Sequence, residues 1–136
     1  MSCVIFGAGK IARGFIGHLL YLSKIPFSFV EKVDSLVDLL NERKQYTVNI
    51  LGDSSKNCIV KGFKAYKFSD EEKIAEEIAY ADCIFDAVGG KNLNAIVPFL
   101  VKGIELRAKV NPKPLNIVTC ENWKLPDEIL HQGVME

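Results

Sequence analysis

Residues 3–22 read Cys3-Val4-Ile5-Phe6-Gly7-Ala8-Gly9-Lys10-Ile11-Ala12-Arg13-Gly14-Phe15-Ile16-Gly17-His18-Leu19-Leu20-Tyr21-Leu22, and the order of residue types here decides the architecture. Cys3 to Phe6 is a short apolar, β-favouring run that stops at a glycine cluster. Beyond it Ile11, Phe15, Leu19 and Leu22 recur at intervals of three and four, the spacing of one helical face. Pro26 ends that pattern, and Phe27 to Val30 makes a second apolar run that finishes at Glu31. Strand, glycine turn, helix and strand thus follow in order, as in two parallel strands joined by a crossover.

The same alternation continues down the chain. Val33, Leu36, Val37 and Leu40 mark the inner face of the next helix, with Asp34 or Ser35 available as its N-cap. Tyr46 to Leu51 alternates apolar with polar, meets Gly52-Asp53-Ser54-Ser55, and gives way to a β-like run around Ile59 and Val60. This predicts a hairpin inserted between helix and strand. Phe63 to Phe68 is the next sheet strand. Ser69 and Glu72 form a capping box for a helix carrying Ile74 and Ile78. Cys83 to Val88 is an apolar run broken by Asp86 and stopped by Gly89-Gly90, as a buried parallel strand is. A long helix follows with Leu93, Val97, Leu100 and Ile104 inward and a kink expected at Pro98. Leu115 to Cys120 makes a fifth strand ending at Glu121-Asn122; from Trp123 onward the pattern is lost. The expected fold class is α/β: a single domain with a doubly wound, mainly parallel, Rossmann-like sheet and an inserted β-hairpin.

Composition agrees with one globular domain. The 136 residues are 49% hydrophobic and 25% charged, the balance of a chain that buries a core without staples. Seventeen basic and seventeen acidic side chains cancel, which excludes a nucleic-acid or anionic-membrane partner held by a basic excess. Cys3, Cys58, Cys83 and Cys120 are scattered, form no metal-ligand spacing, and read as reduced, small apolar residues. No stretch approaches the roughly 20 apolar residues that cross a bilayer, and no signal segment opens the chain; a cytoplasmic location is expected.

The chemistry lies in Gly7-Ala8-Gly9-Lys10-Ile11-Ala12, a G-x-G-x-x-A sequence between the first strand and the first helix. Gly7 allows the tight turn, Gly9 lets backbone approach a pyrophosphate, and Ala12 is small enough for close helix–strand packing. The helix N-terminus presents free N–H groups and the positive end of its dipole to phosphate. Glu31 ends the second strand about 20 residues downstream, where a carboxylate accepts hydrogen bonds from ribose hydroxyls and repels a 2′-phosphate. NAD is therefore expected over NADP, although Lys32 and Ala12 weaken that preference. Arg13, in the first helical turn, is placed to pair with phosphate. Gly89, with Val88 before it, leaves room for a ribose or nicotinamide. His18, mid-helix, reads as a structural or surface histidine.

These residues resemble a family. Phe6-Gly7-Ala8-Gly9-Lys10-Ile11-Ala12-Arg13-Gly14-Phe15-Ile16-Gly17 is similar to the opening of the mannitol-1-phosphate 5-dehydrogenases, within the polyol-specific long-chain dehydrogenases. Pro114-Leu115-Asn116-Ile117-Val118-Thr119-Cys120-Glu121-Asn122 resembles a second segment of that family, and Ala87-Val88-Gly89 its fourth-strand turn. Lys10 and Ala12 depart from the Asn and Gly expected there, which bears on the fit at the pyrophosphate. The resemblance implies NAD-dependent oxidation of mannitol 1-phosphate to fructose 6-phosphate by hydride transfer. It also implies that Asn122 donates a hydrogen bond to the substrate oxygen. The catalytic base that the resemblance implies, a lysine in a Lys-x4-Asn-x2-His pattern, does not occur in these residues.

The expectation is thus a dinucleotide-binding domain over 1–125 and, over 126–136, the start of a linker to a C-terminal catalytic domain. Such a chain binds NAD(H) but does not itself turn over a sugar phosphate. Two other readings stand beside it: a non-enzymatic NAD-binding or redox-sensing module, and a domain of the same fold that binds an adenosyl group.

Overall fold

A computed structural model describes residues 1–49, 57–89 and 92–120. Among these residues five parallel strands form the sheet: β1 (Cys3–Phe6), β2 (Phe27–Glu31), β5 (Lys64–Lys67), β6 (Cys83–Asp86) and β7 (Asn116–Thr119), in the order β5-β2-β1-β6-β7. Strands β3 (Gln45–Val48) and β4 (Cys58–Lys61) pair antiparallel as the expected hairpin, whose Gly52–Ser55 turn lies outside the described residues. The helices are a π-helical turn, Ala12–Gly17, running into α1 (His18–Leu22), then α2 (Asp34–Arg43), α3 (Glu71–Tyr80) and α4 (Leu93–Val110). The π-helical turn and α1 together are called the first helix below.

Strand pleating sends successive side chains to opposite faces, and the core divides accordingly. Cys3 and Ile5 of β1 pack with Ala12, Ile16 and Leu20 of the first helix, with Val37 and Leu40 of α2, and with Phe27 and Phe29. Val4 and Phe6 pack with Ile74 and Ile78 of α3 and with Leu93, Ile96 and Leu100 of α4. Two helices on each face is what right-handed crossovers require when the chain first winds one way from β1 and then the other from β6.

Several local expectations are corrected. The first helix forms, but Ile11, Phe15, Leu19 and Leu22, whose spacing announced it, face outward, while Ala12, Ile16 and Leu20 face the sheet. The reason is close approach: a Cβ on Gly17 would fall on the Tyr46 hydroxyl and lie 3.3 Å from the Phe29 ring, so only the small-residue side fits against the sheet. The N-cap of α2 is Val33, not Asp34 or Ser35, and Val33 is exposed rather than inward. The Ser69–Glu72 capping box is not made. Asp70 is the N-cap of α3, and its carboxylate accepts the Lys67 N–H at 3.0 Å, closing the turn that precedes the helix. Helix α4 continues past Pro98, an exposed residue of its second turn, as a helix kinked at proline also does. Its inward row is Leu93, Ile96, Leu100, Gly103 and Arg107, with Val97 and Ile104 at the margin of the core. The 125/126 boundary lies outside the described residues.

Candidate functional site

The winding of the sheet reverses between β1 and β6, and in open parallel sheets ligands bind in the crevice beyond the carboxyl ends of the strands at such a reversal. Gly7 follows β1, Glu31 ends β2, Phe68 follows β5 and Ala87–Gly89 follow β6, so all reach the same rim. Gly9, Glu31, Val33, Phe68, Val88 and Asn92 are among the residues lining a cleft there of about 290 Å³. A larger cavity of about 460 Å³, lined by Tyr21, Lys24, Pro26 and Gly62, lies at the opposite, amino ends of the strands and contains none of the expected site residues.

Gly7 holds φ +102°, a conformation that side chains avoid, and a Cβ there would lie 2.5 Å from the Ala87 carbonyl oxygen. Its N–H donates to the Val30 carbonyl at 2.7 Å, and Ala87 N–H donates to Phe6 at 2.8 Å. The turn is therefore locked to both neighbouring strands. Gly9 is different: among the described residues, its own chain neighbours aside, no atom lies within 4 Å of where its Cβ would be. Its lack of a side chain serves nothing inside the fold and leaves the backbone open to approach, as a pyrophosphate requires. The Arg13 N–H donates to the Gly9 carbonyl at 3.0 Å. That bond is the first turn of the helix, so the N–H groups ahead of it project from the helix end. Lys10 and Ile11 are exposed on this turn, and Ala12 is buried against β1.

Glu31 does more than end a strand. One carboxylate oxygen accepts the Ala8 N–H at 2.9 Å and the other the Val33 N–H at 2.8 Å. It thereby ties the glycine turn to the start of α2 while remaining part of the cleft wall. Asn92 closes the far wall: its side chain donates to the Val88 carbonyl at 2.9 Å and its N–H to the Gly89 carbonyl at 2.9 Å, with Gly89 at φ +89°. Asp86 at the end of β6 is wholly buried, and its carbonyl accepts the Cys120 N–H.

Arg13 is half-buried, and its Nε donates to the Gly9 carbonyl at 3.4 Å, keeping the guanidinium beside the turn. The Arg13 carbonyl accepts the Tyr46 hydroxyl at 2.7 Å. An outside donor entering the helical ladder accompanies a π-type widening, and here it lies within the Ala12–Gly17 turn. Burial pushes the Tyr46 phenol well above its usual range, with Arg13 opposing, so the hydroxyl stays protonated to donate. His18 is half-buried, and its Nε2 has no hydrogen-bond partner among the described residues. No disulfide joins Cys3, Cys58, Cys83 and Cys120. Among the described residues no trio of His, Cys, Asp or Glu is grouped to hold a metal, and no helix is long and apolar enough to cross a membrane. Asn122, like Gly90, lies outside the described residues.

Sequence reasoning missed Phe68 and Asn92, which reach the cleft from elements far apart in the chain, and Tyr46, whose alternating run announced a strand but not its contact with the first helix. The asparagine ahead of an apolar-periodic stretch was an available helix-start signal for Asn92.

Comparison with known proteins matches this geometry. Residues 1–136 match the family described as the mannitol dehydrogenase Rossmann domain. Among curated relatives, the mannitol-1-phosphate 5-dehydrogenase of Thermoanaerobacter pseudethanolicus is 40% identical over all of this chain, and that of Clostridium acetobutylicum 35%. That of Aureobasidium melanogenum is 38% identical over 90% of this chain. The chain spans about a third of their length: 35%, 35% and 32% respectively. A parallel sheet with its glycine turn at the point of reversal, matched end to end by this family, leads to one conclusion: the chain belongs to the mannitol dehydrogenases and carries their Rossmann domain.

Proposed function

We propose that this chain is the NAD(H)-binding part of an enzyme that interconverts mannitol 1-phosphate and fructose 6-phosphate. The observation that carries the reading is the junction of the glycine turn with Glu31, Ala8 N–H to carboxylate at 2.9 Å, at the reversal point of the sheet. The residues fit a dinucleotide: open backbone at Gly9 for the pyrophosphate, a helix N-terminus for its charge, and a carboxylate for the ribose hydroxyls.

In this reading Gly7, Ala8, Gly9, Lys10, Ile11 and Ala12 seat the pyrophosphate and Arg13 neutralises part of its charge. Glu31 accepts from the adenosine ribose with the lone pairs that Ala8 and Val33 leave free. Val88 and Gly89 lie along the nicotinamide half, and Asn122 donates to the substrate oxygen. A nicotinamide held there would supply the hydride acceptor for the secondary alcohol carbon of mannitol 1-phosphate. The hydroxyl proton must leave to a general base, and none of the described residues is placed for it. A sugar phosphate is then bound and turned over only with the further domain of the whole protein.

Calorimetric titration of the chain with NADH and NADPH in parallel tests this. NADH is expected to bind in the micromolar-to-millimolar range and NADPH at least about tenfold more weakly, a difference of roughly 1.4 kcal/mol. Glu31→Ala should weaken NADH and narrow the gap. Equal binding of the two nucleotides, or binding of neither to a folded sample, overturns the reading.

A further inference from the structure

The hairpin of β3 and β4 pairs with no strand of the main sheet among the described residues, yet it sends one side chain to the phosphate end of the candidate cleft. The Tyr46 ring sits 5.4 Å from Phe63 and 6.2 Å from Phe29, centroid to centroid, in tilted contacts that fix where its hydroxyl lies. That hydroxyl donates to the Arg13 carbonyl at 2.7 Å. It occupies the place where a Cβ on residue 17 would be, so only glycine leaves it room. Glycine inside a helix is unfavourable; here it makes the space that the phenol fills.

Arg13 is held at three points. Its N–H and its Nε both donate to the Gly9 carbonyl, at 3.0 and 3.4 Å, and its own carbonyl accepts from Tyr46. No carboxylate pairs with its guanidinium among the described residues. A cavity of about 550 Å³, lined in part by Arg13, Leu36, Arg43 and Tyr46, opens beside it and gives the side chain room to swing away from Gly9. Backbone geometry decides which way it points. Each helical residue turns by about 100°, so the extra residue of a π-type turn redirects the residues at its start, relative to buried Ile16 and Leu20, by about that angle. A hydroxyl bonded into the ladder favours the widened form over the α form. We propose that Tyr46 is a positioning residue for the phosphate end of the site: lodged in the space at Gly17, it holds the first helix in its widened turn and so keeps the Arg13 guanidinium beside Gly9. This rests on the cofactor assignment proposed above, which seats the pyrophosphate at that turn. The inserted hairpin is then the strut that carries the hydroxyl to the helix.

Tyr46→Phe removes the hydroxyl and keeps the ring, while Arg13→Gln removes the charge and keeps the carbonyl. The two variants and their combination form a cycle read by NADH titration of the chain. Tyr46→Phe should weaken NADH at least about fivefold, but less than about twofold in the Arg13→Gln background. The salt dependence of NADH affinity should become shallower in Tyr46→Phe, as in Arg13→Gln, because the guanidinium no longer faces phosphate. Gly17→Ala, whose Cβ displaces the hydroxyl from the helix side, should reproduce both effects. Circular dichroism should show native helix content in Tyr46→Phe, and carbonyl-carbon NMR should show the Arg13 resonance shifted with no nucleotide present. An unshifted Arg13 resonance overturns the proposal. So do losses that simply multiply in the double variant, because the hydroxyl then acts elsewhere than through Arg13. A wild-type chain that binds no NADH overturns the cofactor assignment and this proposal with it, whereas wild-type binding that Tyr46→Phe leaves within about twofold overturns this proposal alone.

Discussion

Arg107 offers the sharpest test of how the second half of the sheet is held. It is 5% exposed, on the inner row of α4, and no acidic partner neutralises it among the described residues. Its guanidinium is instead spent on backbone: Nη1 donates to the carbonyls of Ile78, Ala79 and Ala81 at 3.2, 3.0 and 2.6 Å, Nε to Lys113 at 2.9 Å, and Nη2 to Pro114 at 2.9 Å. One cation thus closes the carboxyl end of α3, where the helix dipole is negative, and fastens the turn that sends the chain into β7. Arg107→Met keeps much of the apolar volume and removes every donor. Ile78 and Ala79 keep other donors, the Ala81 N–H and the Asn111 side chain, and Lys113 and Pro114 are exposed to water, so Ala81 is the buried residue whose carbonyl loses its donor. At roughly 1–3 kcal/mol for the buried carbonyl left unpaired and about 0.5–1.5 kcal/mol for each of the two bonds at the exposed turn, with part of that recovered as the charge no longer has to be desolvated, the net loss is about 3 kcal/mol. That is a large share of the 5–15 kcal/mol typical of a domain. Arg107→Lys keeps the charge but not the planar fork, and should lose about half as much. Urea unfolding followed by circular dichroism measures both. A loss below about 1 kcal/mol for Arg107→Met, or Lys equal to Arg, would refute the claim that the fork and its carbonyls organise this corner.

Gly7→Ala must place a Cβ 2.5 Å from a main-chain oxygen at φ +102°; with strain of about 1–3 kcal/mol from the backbone alone, the loss should reach roughly 3 kcal/mol in urea unfolding, and NADH titration should show weakened binding as the turn shifts. Alkaline stability should fall for a stated reason. Burial, then the neighbouring Cys83 and Asp82, push the Cys3 thiol up from 9.0 to about 11, so the folded chain keeps a proton there that the unfolded chain releases. Stability is therefore intact below pH 9 and declines as pH rises from 9 to 11, by at most about 2.7 kcal/mol, and denaturation across that range should show the decline flattened in Cys3→Ala.

Much of the fold was legible because it is written locally. The runs at 3–6, 27–30, 63–68, 83–88 and 115–120 are short stretches between turn residues, and each contains a parallel strand. The alternation from Tyr46 and around Ile59 announced the hairpin. What was not legible depends on partners distant in sequence. Rows 11/15/19/22 and 12/16/20 both fit a helical face, and periodicity alone cannot choose between them; the contact of Gly17 with Tyr46, from the inserted hairpin, chooses. The capping residues failed for a related reason: Asp70 closes a turn by bonding Lys67, which displaces the box that Ser69 and Glu72 would have made. Arg107 gave no signal either, since a basic residue near a helix end normally reads as solvated, and its acceptors on α3 lie 26 to 29 residues away.

The site shows the opposite balance, and Glu31 explains why. A glycine fingerprint and an acidic residue downstream are read in sequence as two separate contacts to one ligand. In the fold they touch each other, carboxylate to Ala8 N–H, while the second oxygen holds the Val33 N–H at the entry to α2. The two-part motif is therefore one structural unit before any nucleotide arrives: the carboxylate that would accept ribose hydroxyls also fixes the turn that would accept phosphate. This is why Glu31→Gln and Glu31→Ala should not behave alike. An amide oxygen can still accept from Ala8, but its NH₂ then faces the Val33 N–H, donor against donor. Alanine releases both bonds and frees the turn. Loss of ribose recognition weakens NADH in either variant, whereas disorder of the glycine turn should appear in alanine as faster amide exchange at Ala8 and Gly9. Equal exchange in the two variants would mean that the turn is held by Gly7 and its strand neighbours alone.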